Sequence, residues 1–190
     1  MQSALKHATK EEYFALEEVA TKKHEFFQGN IFAMAGGTFN HARISGNTFS
    51  TLKFKLRNKH CQPTISDMQI ETPHGLVTYP DIAVYCGKPE LTKNQCALLN
   101  PILIIEVLSP STRLYDQSDK FLLYRAIPSF TDYLLIDSEK IHVQHFHKNK
   151  EYEWILHEYF QLNDNVDLVS INDCLTLLEM YEEIFVESPA

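Results

Sequence analysis

Two carboxylates occupy positions where packing alone would favour apolar side chains. Glu106 lies in the middle of the run ILIIEVLSP (102–110), which is typical of a strand buried on both faces. Asp81 follows Pro80 and precedes an apolar run that also predicts a strand. An ionised carboxylate is costly in such surroundings unless a cation, a strong donor or a proton compensates it. The group that compensates Glu106 should therefore indicate what the protein does.

Asp81 and Glu106 could together form a site for a divalent metal ion. Mg²⁺ prefers oxygen ligands and is usually held by one or two protein carboxylates while it keeps several waters. Mn²⁺ could substitute for it. Lys120, in the helix predicted after the strand of Glu106, could neutralise excess charge, orient a water or lower its pKa. This combination suits metal-assisted hydrolysis of a phosphodiester.

Each of these residues also has a structural interpretation. Glu106 could be a neutral or ion-paired core residue, and Asp81 a turn residue after Pro80. Lys120 could pair with Asp116 four residues earlier on an exposed helix, which is worth little energy. Two more polar residues fit either interpretation, Glu25 at the start of a predicted hairpin and His41 at the start of a long helix. The remaining acids are interpreted as structural or supporting: Asp67, Asp116 and Asp119.

The net charge of −8 conceals an uneven distribution of charges. Residues 151–190 contain ten acidic and no basic residues, whereas no acid occurs between Glu25 and Asp67. That acid-free stretch contains five basic residues, which form either a solvated helix face or a surface that contacts phosphates: Arg43, Lys53, Lys55, Arg57 and Lys59.

Length and composition predict one domain over residues 1–190. The hydrophobic content of 44% is that of a soluble globular protein. No apolar run approaches the ~20 residues of a transmembrane helix, and the N-terminus lacks the layout of a signal peptide. We therefore expect a cytoplasmic protein with no membrane partner.

Cysteine and histidine spacing predicts no further chemistry. The four cysteines, at 61, 86, 96 and 174, form no CxxC pair, so neither a zinc site nor a disulfide is expected in a reducing compartment. The spacing of His142, Gln144 and His147 is typical of the wet face of a strand, because a third metal ligand is missing.

The order of elements predicts a mixed α/β domain. Helices are expected from the capping box at Thr9–Glu12 onward, over about 40–59 and 115–126, and near 172–185. Strands are expected in a hairpin within 23–36 and over 64–71, 76–86, 102–108, 131–137, 141–147 and 151–159, with a polar loop at 87–100.

The chain resembles a known family through several motifs taken together. These are Pro80-Asp81, EVLSPST from Glu106, and DQSDK from Asp116 to Lys120 followed by Tyr124-Arg125, with further likeness in HEFFQGNIFAMAGGTFNH, SDMQI and FTDYLLID. They resemble the restriction-endonuclease-like family that is abundant in cyanobacteria, within the PD-(D/E)XK nuclease superfamily. The resemblance covers nearly the whole chain.

This resemblance implies a central mixed β-sheet flanked by helices, with a magnesium site at its edge. Asp81 and Glu106 would be the two motif acids, and the carbonyl of Val107 would be a further ligand. The usual motif lysine comes two residues after the second acid, where this chain has Leu108, so the resemblance nominates Lys120 in the next helix for that role. Glu25 and His41 match polar positions near the site.

The resulting hypothesis is a Mg²⁺-dependent endonuclease that cuts DNA, with a homodimer expected by analogy with duplex-cutting nucleases of the superfamily. One alternative is a catalytically inactive nucleic-acid-binding or assembly module that retains the nuclease fold. Another is a metal-dependent hydrolase of a smaller phosphate ester. The sequence does not identify a DNA site or a dimer surface.

Overall fold

The fold is a mixed α/β arrangement of two six-stranded sheets, a two-stranded sheet and packed helices, seen in a computed structural model that describes residues 3–184. The first sheet contains, in spatial order, β1 (Ser3–Lys6), β3 (Asn30–Ala33), β2 (His24–Phe27), β6 (Val77–Thr78), β5 (Gln69–Glu71) and β8 (Ala97–Leu98). The second contains β12 (Trp154–Tyr159), β11 (Val143–Lys148), β10 (Asp132–Asp137), β9 (Leu103–Leu108), β7 (Ile82–Cys86) and β4 (Cys61–Ile65). The small sheet pairs β13 (Asn165–Leu168) with β14 (Asp173–Thr176).

The first two helices begin at threonine side-chain caps. Thr9 and Glu12 form the predicted capping box of the first helix, and Thr38 caps the second by accepting a hydrogen bond from the His41 amide. The helices are α1 (Lys10–Val19), α2 (Phe39–Lys55), α3 (Arg113–Tyr115), α4 (Phe121–Tyr124) and α5 (Leu177–Met180), with a π-helical turn at Asp116–Lys120 and a 3₁₀ turn at Val169–Ile171.

The second sheet forms the centre of the molecule. Every residue of β9 and β10 is buried, and these two strands run parallel while β7 pairs antiparallel with β9. Alternate side chains therefore enter two different cores. One core faces α2, the small sheet and α5, and the other faces the π-helical turn and α4. The predicted mixed sheet flanked by helices is confirmed, whereas the division into two large sheets was not predicted.

Several predicted boundaries are wrong because the chain changes sheets. The predicted strand 76–86 is two strands, since Tyr79, Pro80 and Asp81 carry the chain from the first sheet to the second. The predicted strand 64–71 likewise divides into β4 and β5. The helix predicted near 172–185 begins instead as β14, which pairs with β13, and only α5 is helical there; residue 185 lies outside the described residues. Three short strands were not predicted, namely β1, β8 and β13.

The cysteine prediction is also wrong for one pair. Cys61 and Cys86 are directly opposite each other on the antiparallel strands β4 and β7, and they form a disulfide. The two residues are 25 positions apart. Their proximity depends on the strand register, which cysteine spacing does not reveal. Within residues 3–184, no helix is long and apolar enough to cross a membrane.

Candidate active site

A cavity of about 390 Å³ lies where the first sheet, the second sheet and the helical segment 113–124 meet. Its lining includes every residue that the sequence nominated as catalytic or as a metal ligand: Glu25, His41, Asp81, Glu106, Val107 and Lys120. These residues come from β2, α2, the crossover after β6, β9 and the π-helical turn. Residues from distant parts of the chain thus converge on one polar cavity.

The two motif carboxylates are adjacent because the β7–β9 ladder ends just before them. The last pair on this side of the ladder joins Ile82 to Ile105. Beyond it, the Val107 amide donates to Asp81 Oδ2 at 2.8 Å, and the Asp81 amide lies 3.4 Å from Glu106 Oε2. Side-chain oxygens thus replace the carbonyl acceptors of a regular ladder. This local exchange places both carboxylates at the cavity.

Lys120 compensates the buried carboxylate that the strand sequence could not explain. Its Nζ lies 2.9 Å from Glu106 Oε1, 3.3 Å from Asp116 Oδ1 and 3.4 Å from Glu25 Oε1. Lys120 is only 4% exposed, so these interactions are poorly screened by water. Burial by itself lowers the pKa of Lys120, but the negative charge around it, that of Glu106 foremost, outweighs burial and raises the pKa well above its ordinary value. Lys120 is therefore a permanent cation in the site.

Glu106 has the most strongly perturbed carboxyl group in the cavity. Burial raises its pKa to about 8, although the charge of Lys120 opposes that rise, and the charges of Asp116 and Asp81 add to it. The Tyr124 hydroxyl and the Lys120 ammonium both contact Oε1, at 2.8 and 2.9 Å. The other oxygen, Oε2, is directed toward Asp81. One cation is thus insufficient to keep this group fully ionised at neutral pH.

The π-helical turn contributes a residue that sequence analysis undervalued. Asp116, interpreted as structural or supporting, lines the cavity and contacts Lys120. Burial raises its pKa, and Lys120 opposes that shift. Asp116, Lys120 and Tyr124 recur at intervals of four residues, a spacing that places side chains on one helix face and that could have identified the set. π-helical turns often occur at functional sites.

Glu25 reaches the cavity from the first sheet. The Thr78 hydroxyl donates a short hydrogen bond to Glu25 Oε1, which also contacts Lys120. Its other oxygen, Oε2, is shielded from solvent and accepts no hydrogen bond from the described residues. A buried carboxylate oxygen without a donor is costly. The Tyr115 hydroxyl, which also lines the cavity, is near enough to Glu25 for the carboxylate to raise the pKa of the tyrosine after burial has done so, and Oε2 is the Glu25 oxygen that keeps capacity for a ligand.

His41 is held beside Asp81 by the start of α2. Its Nε2 lies 3.2 Å from Asp81 Oδ2. Burial by itself lowers the pKa of His41, but the hydrogen bond to Asp81 and the charge of that residue outweigh burial, so the pKa is raised. Gly37 is necessary for this placement, because a Cβ atom there would lie 2.6 Å from His41 Nδ1.

The donor set fits a hard divalent cation. Carboxylate and carbonyl oxygens are the ligands that Mg²⁺ prefers, and the cavity offers Glu106 Oε2, Glu25 Oε2 and the main chain of Val107. Asp81 Oδ2 is already occupied by the Val107 amide and His41. Oδ1 of Asp81 receives no hydrogen bond from the described residues, so it is the oxygen available to a cation.

The five basic residues do not lie at this cavity. Arg43, Lys55 and Lys59 form ion pairs with Glu183, Glu179 and Asp173 respectively. Lys53 begins the basic cluster 12 residues after His41 in α2, so it lies about 18 Å from the cavity end of the helix at 1.5 Å per residue. The acidic C-terminal region thus neutralises much of the basic stretch, while the guanidinium of Arg57 forms no ion pair or hydrogen bond with the described residues.

Comparisons with known proteins agree with this architecture. Residues 10–177 match the family model described as "Uma2: Putative restriction endonuclease". Two proteins of Synechocystis sp., slr1290 and sll1609, both described as "uncharacterized protein", are 38% and 37% identical to this chain over 162 and 161 residues. The alignments cover 85% and 84% of this chain, and 84% and 91% of those proteins.

A solved structure has the same fold. It comes from Anabaena variabilis and is described as "a putative nuclease belonging to DUF820"; it superposes with a TM-score of 0.75 and covers 92% of this chain and 98% of its own. At 15% identity this similarity concerns the fold alone. The family match, which spans most of the sequence and contains the acids and lysine of the cavity, shows that this chain belongs to the Uma2 restriction-endonuclease-like family.

Proposed function

We propose that this protein is a Mg²⁺-dependent nuclease that hydrolyses phosphodiester bonds in DNA. The observation that supports it best is the convergence of Asp81, Glu106 and Lys120 at one cavity, where Asp81 Oδ1 has no donor among the described residues and Glu106 Oε2 has only the long contact with the Asp81 amide. Nuclease-like family membership is consistent with this chemistry. Mn²⁺ should substitute for Mg²⁺, because both accept oxygen ligands.

Asp81 and Glu106 would hold the metal, and the Val107 carbonyl and Glu25 Oε2 would be further ligands. When bound, the ion polarises phosphate oxygens and lowers the pKa of a water molecule. Tyr124 and Lys120 hold Glu106 by Oε1, which fixes the direction of Oε2. The Val107 amide fixes Asp81 in the same way through Oδ2. The protein thus orients both ligands before any ion binds.

Lys120 acts as a charge and hydrogen-bond donor. Its raised pKa makes it unsuitable as a base near neutral pH. Its ammonium group offsets the repulsion among Glu25, Glu106 and Asp116 and can donate to a water or phosphate oxygen that enters the cavity. His41 is the better group to exchange a proton, because its imidazole has access to the cavity and its charge depends on Asp81.

DNA is the proposed substrate, and contacts to its backbone would come from residues outside the cavity. Arg57 and Lys53 carry no ion pair with the described residues, so they remain candidates for phosphate contact. We include Arg43, Lys55 and Lys59 as weaker candidates, because a phosphate would have to displace their carboxylate partners. A homodimer is proposed for cleavage of both strands of a duplex.

Cleavage and metal binding should be measured together. Mg²⁺ and Mn²⁺ would be titrated calorimetrically into the wild type and into Asp81→Asn and Glu106→Gln, beside cleavage of plasmid and single-stranded DNA. Asp119→Asn is the matched control, because Asp119 is exposed and adjoins Lys120 in sequence without lining the cavity. We expect metal binding and cleavage to disappear in both site variants and to persist in the control.

Other results would favour other functions. Metal binding without cleavage of either DNA would point to a smaller phosphate ester, which a panel of phosphomonoesters and phosphodiesters would test. DNA binding without metal binding or cleavage would indicate an inactive nucleic-acid-binding module. Absence of metal binding by the folded wild-type protein would contradict the proposed nuclease mechanism.

A further inference from the structure

A second set of metal-ligating side chains lies outside the active-site cavity. Asp132 at the start of β10 accepts hydrogen bonds on Oδ1 from His145 Nε2 at 2.6 Å and from His147 Nδ1 at 3.0 Å. The three potential ligand atoms lie within 4.8 Å of one another. Sequence spacing did not predict this set, because its third ligand comes from the neighbouring strand.

The cluster is separated from the active site in two directions. In the parallel register, Asp132 is opposite Leu103 whereas Glu106 is opposite Leu135, so the two groups are three residues apart along the strands, about 10 Å at the usual rise. Their side chains also enter different cores, because Leu134 and Ile136 share one core with Val143, while Leu135 packs in the other. A ligand at this cluster would therefore be distinct from an ion at Glu106.

The cluster is built around a buried carboxylate, that of Asp132. Asp132 is fully buried, and its ion-pair partners among the described residues are the two imidazoles. Both imidazoles contact Oδ1, and the Thr131 hydroxyl lies 3.4 Å from Oδ2 as a long hydrogen-bond donor. A buried carboxylate usually requires a fixed cation or several strong donors. A divalent cation bound to Asp132 would supply that fixed charge.

An additional polar group lies beside the cluster. The Ser170 hydroxyl, in the 3₁₀ turn, is shielded from solvent and is near enough to Asp132 to interact with its carboxylate. The side chain of His147 is 25% exposed, which provides a route from solvent.

We propose that Asp132, His145 and His147 bind a Zn²⁺ ion. Two imidazole nitrogens and one carboxylate oxygen are a common protein ligand set for zinc, with a fourth position left for water or another side chain. His157 is a candidate for that fourth position, because it is directly opposite His145 on β12. On binding, the protons on the nitrogens that now face Asp132 move to the opposite ring nitrogen or to solvent, so both imidazoles coordinate in neutral form.

Bound zinc would connect adjacent strands near one edge of the second sheet. Asp132 belongs to β10 and both histidines to β11, and β12 beyond them is the edge strand. The ion would stabilise this edge because ligand binding to the folded state raises its stability. The role inferred is structural and does not depend on whether the cavity around Glu106 catalyses hydrolysis.

The test is a zinc titration in a background that removes the first metal centre. The variant Asp81→Asn with Glu106→Gln would be titrated with Zn²⁺ by calorimetry, and bound zinc would be counted by elemental analysis after desalting. Co²⁺ would be titrated in parallel, because its visible spectrum distinguishes tetrahedral coordination. We expect one zinc per chain and a melting temperature that rises with zinc concentration.

Ligand variants decide whether the ion is at this cluster. His147→Ala and Asp132→Asn should each weaken zinc binding by at least about 100-fold, since removal of supporting residues alone costs 10–100-fold. His142→Ala is the matched control, because that histidine precedes the same strand but pairs with Glu158. Circular dichroism would confirm that each variant is folded.

Two results would overturn the proposal. Zinc binding that persists unchanged in folded His147→Ala and Asp132→Asn would place the ion elsewhere. Absence of zinc binding in the folded background protein would leave a hydrogen-bonded carboxylate–imidazole cluster only. Loss of nuclease activity in the Asp81 and Glu106 variants would not affect either result, so failure of this proposal and failure of the proposed function are distinguishable.

Discussion

Replacement of Glu106 with glutamine tests whether this buried carboxyl group holds a proton in the metal-free folded protein. Glu106 is 4% exposed, and burial raises its pKa from 4.5 to about 8 despite the opposing charge of Lys120. Glutamine has nearly the same shape but cannot ionise. Lys120 keeps Asp116 and Glu25 as partners in the variant, so the ammonium is not left unpaired.

The raised pKa gives the stability of the wild type a definite dependence on pH. In the unfolded chain Glu106 loses its proton near pH 4.5, while the folded protein retains it until about pH 8. The folded state therefore binds more protons in this window, and stability falls as pH rises. The slope approaches 1.4 kcal/mol per pH unit, and the full shift corresponds to roughly 5 kcal/mol between pH 4.5 and 8.

Urea unfolding at pH 5, 6, 7 and 8, in the presence of a chelator, measures this slope for the wild type and Glu106→Gln. The variant should lose the Glu106 contribution, so its stability should fall much less steeply and should exceed that of the wild type at pH 8. Saturating Mg²⁺ should flatten the wild-type slope, because an ion that binds the ionised form displaces the retained proton. It should leave the slope of the variant unchanged.

Equal slopes in the two proteins without metal would refute this assignment. Equal slopes would mean that Lys120 and Tyr124 keep Glu106 ionised in the folded state. Burial would then not be the dominant effect on the pKa of Glu106. Glu106 would then be an ordinary ion-paired core residue as far as stability is concerned. Activity measurements on the same variant would still report separately on metal binding.

Three further perturbations test neighbouring features. Gly37→Ala should displace the His41 ring, because the added Cβ would lie 2.6 Å from Nδ1. This variant should lower cleavage about 10-fold or more. Gly36→Ala is the control, because nothing lies within 4 Å of a Cβ added there. Equal cleavage by the two alanine variants would contradict a role for His41. Lys120→Met should abolish cleavage and reduce stability at pH 8 by roughly 3–5 kcal/mol in urea unfolding, whereas unchanged stability would show that its carboxylate partners are protonated. Arg57→Ala should reduce the salt dependence of DNA binding by about one unit of log–log slope, and an unchanged slope would exclude a phosphate contact there.

The residues that line the candidate active site could be nominated from the sequence because their chemistry conflicts with their surroundings. A carboxylate within a continuous apolar strand, as at Glu106, requires a partner wherever the strand lies in the fold. The helical spacing that places Lys120 on one face with Asp116 could also be read from the chain, although Asp116 was assigned a lesser role. Such conflicts involve residues that are close together in the sequence, so they can be recognised before the topology of the fold is known.

The features that were missed depend on strand register and on pairing between distant segments. The disulfide of Cys61 and Cys86 requires that β4 and β7 pair with these residues opposite each other. The contact of Asp132 with His145 requires β10 and β11 to pair in one register. A shift of the strand register by one residue would turn every side chain of a strand to the opposite face of the sheet. No residue type in these segments specifies that register by itself.

Packing also explains why the cationic residue comes from a helix. Leu108 lies two residues after Glu106 on β9, so both side chains point to the same face, where Leu108 is buried in the core formed with α4. A lysine at that position would replace an apolar contact in this core. The π-helical turn instead packs over the face that bears Glu106 and delivers Lys120 Nζ to within 2.9 Å of Oε1. The buried Glu106 carboxylate requires a cation beside it, and the helical segment supplies Lys120 without disturbing the packing of β9.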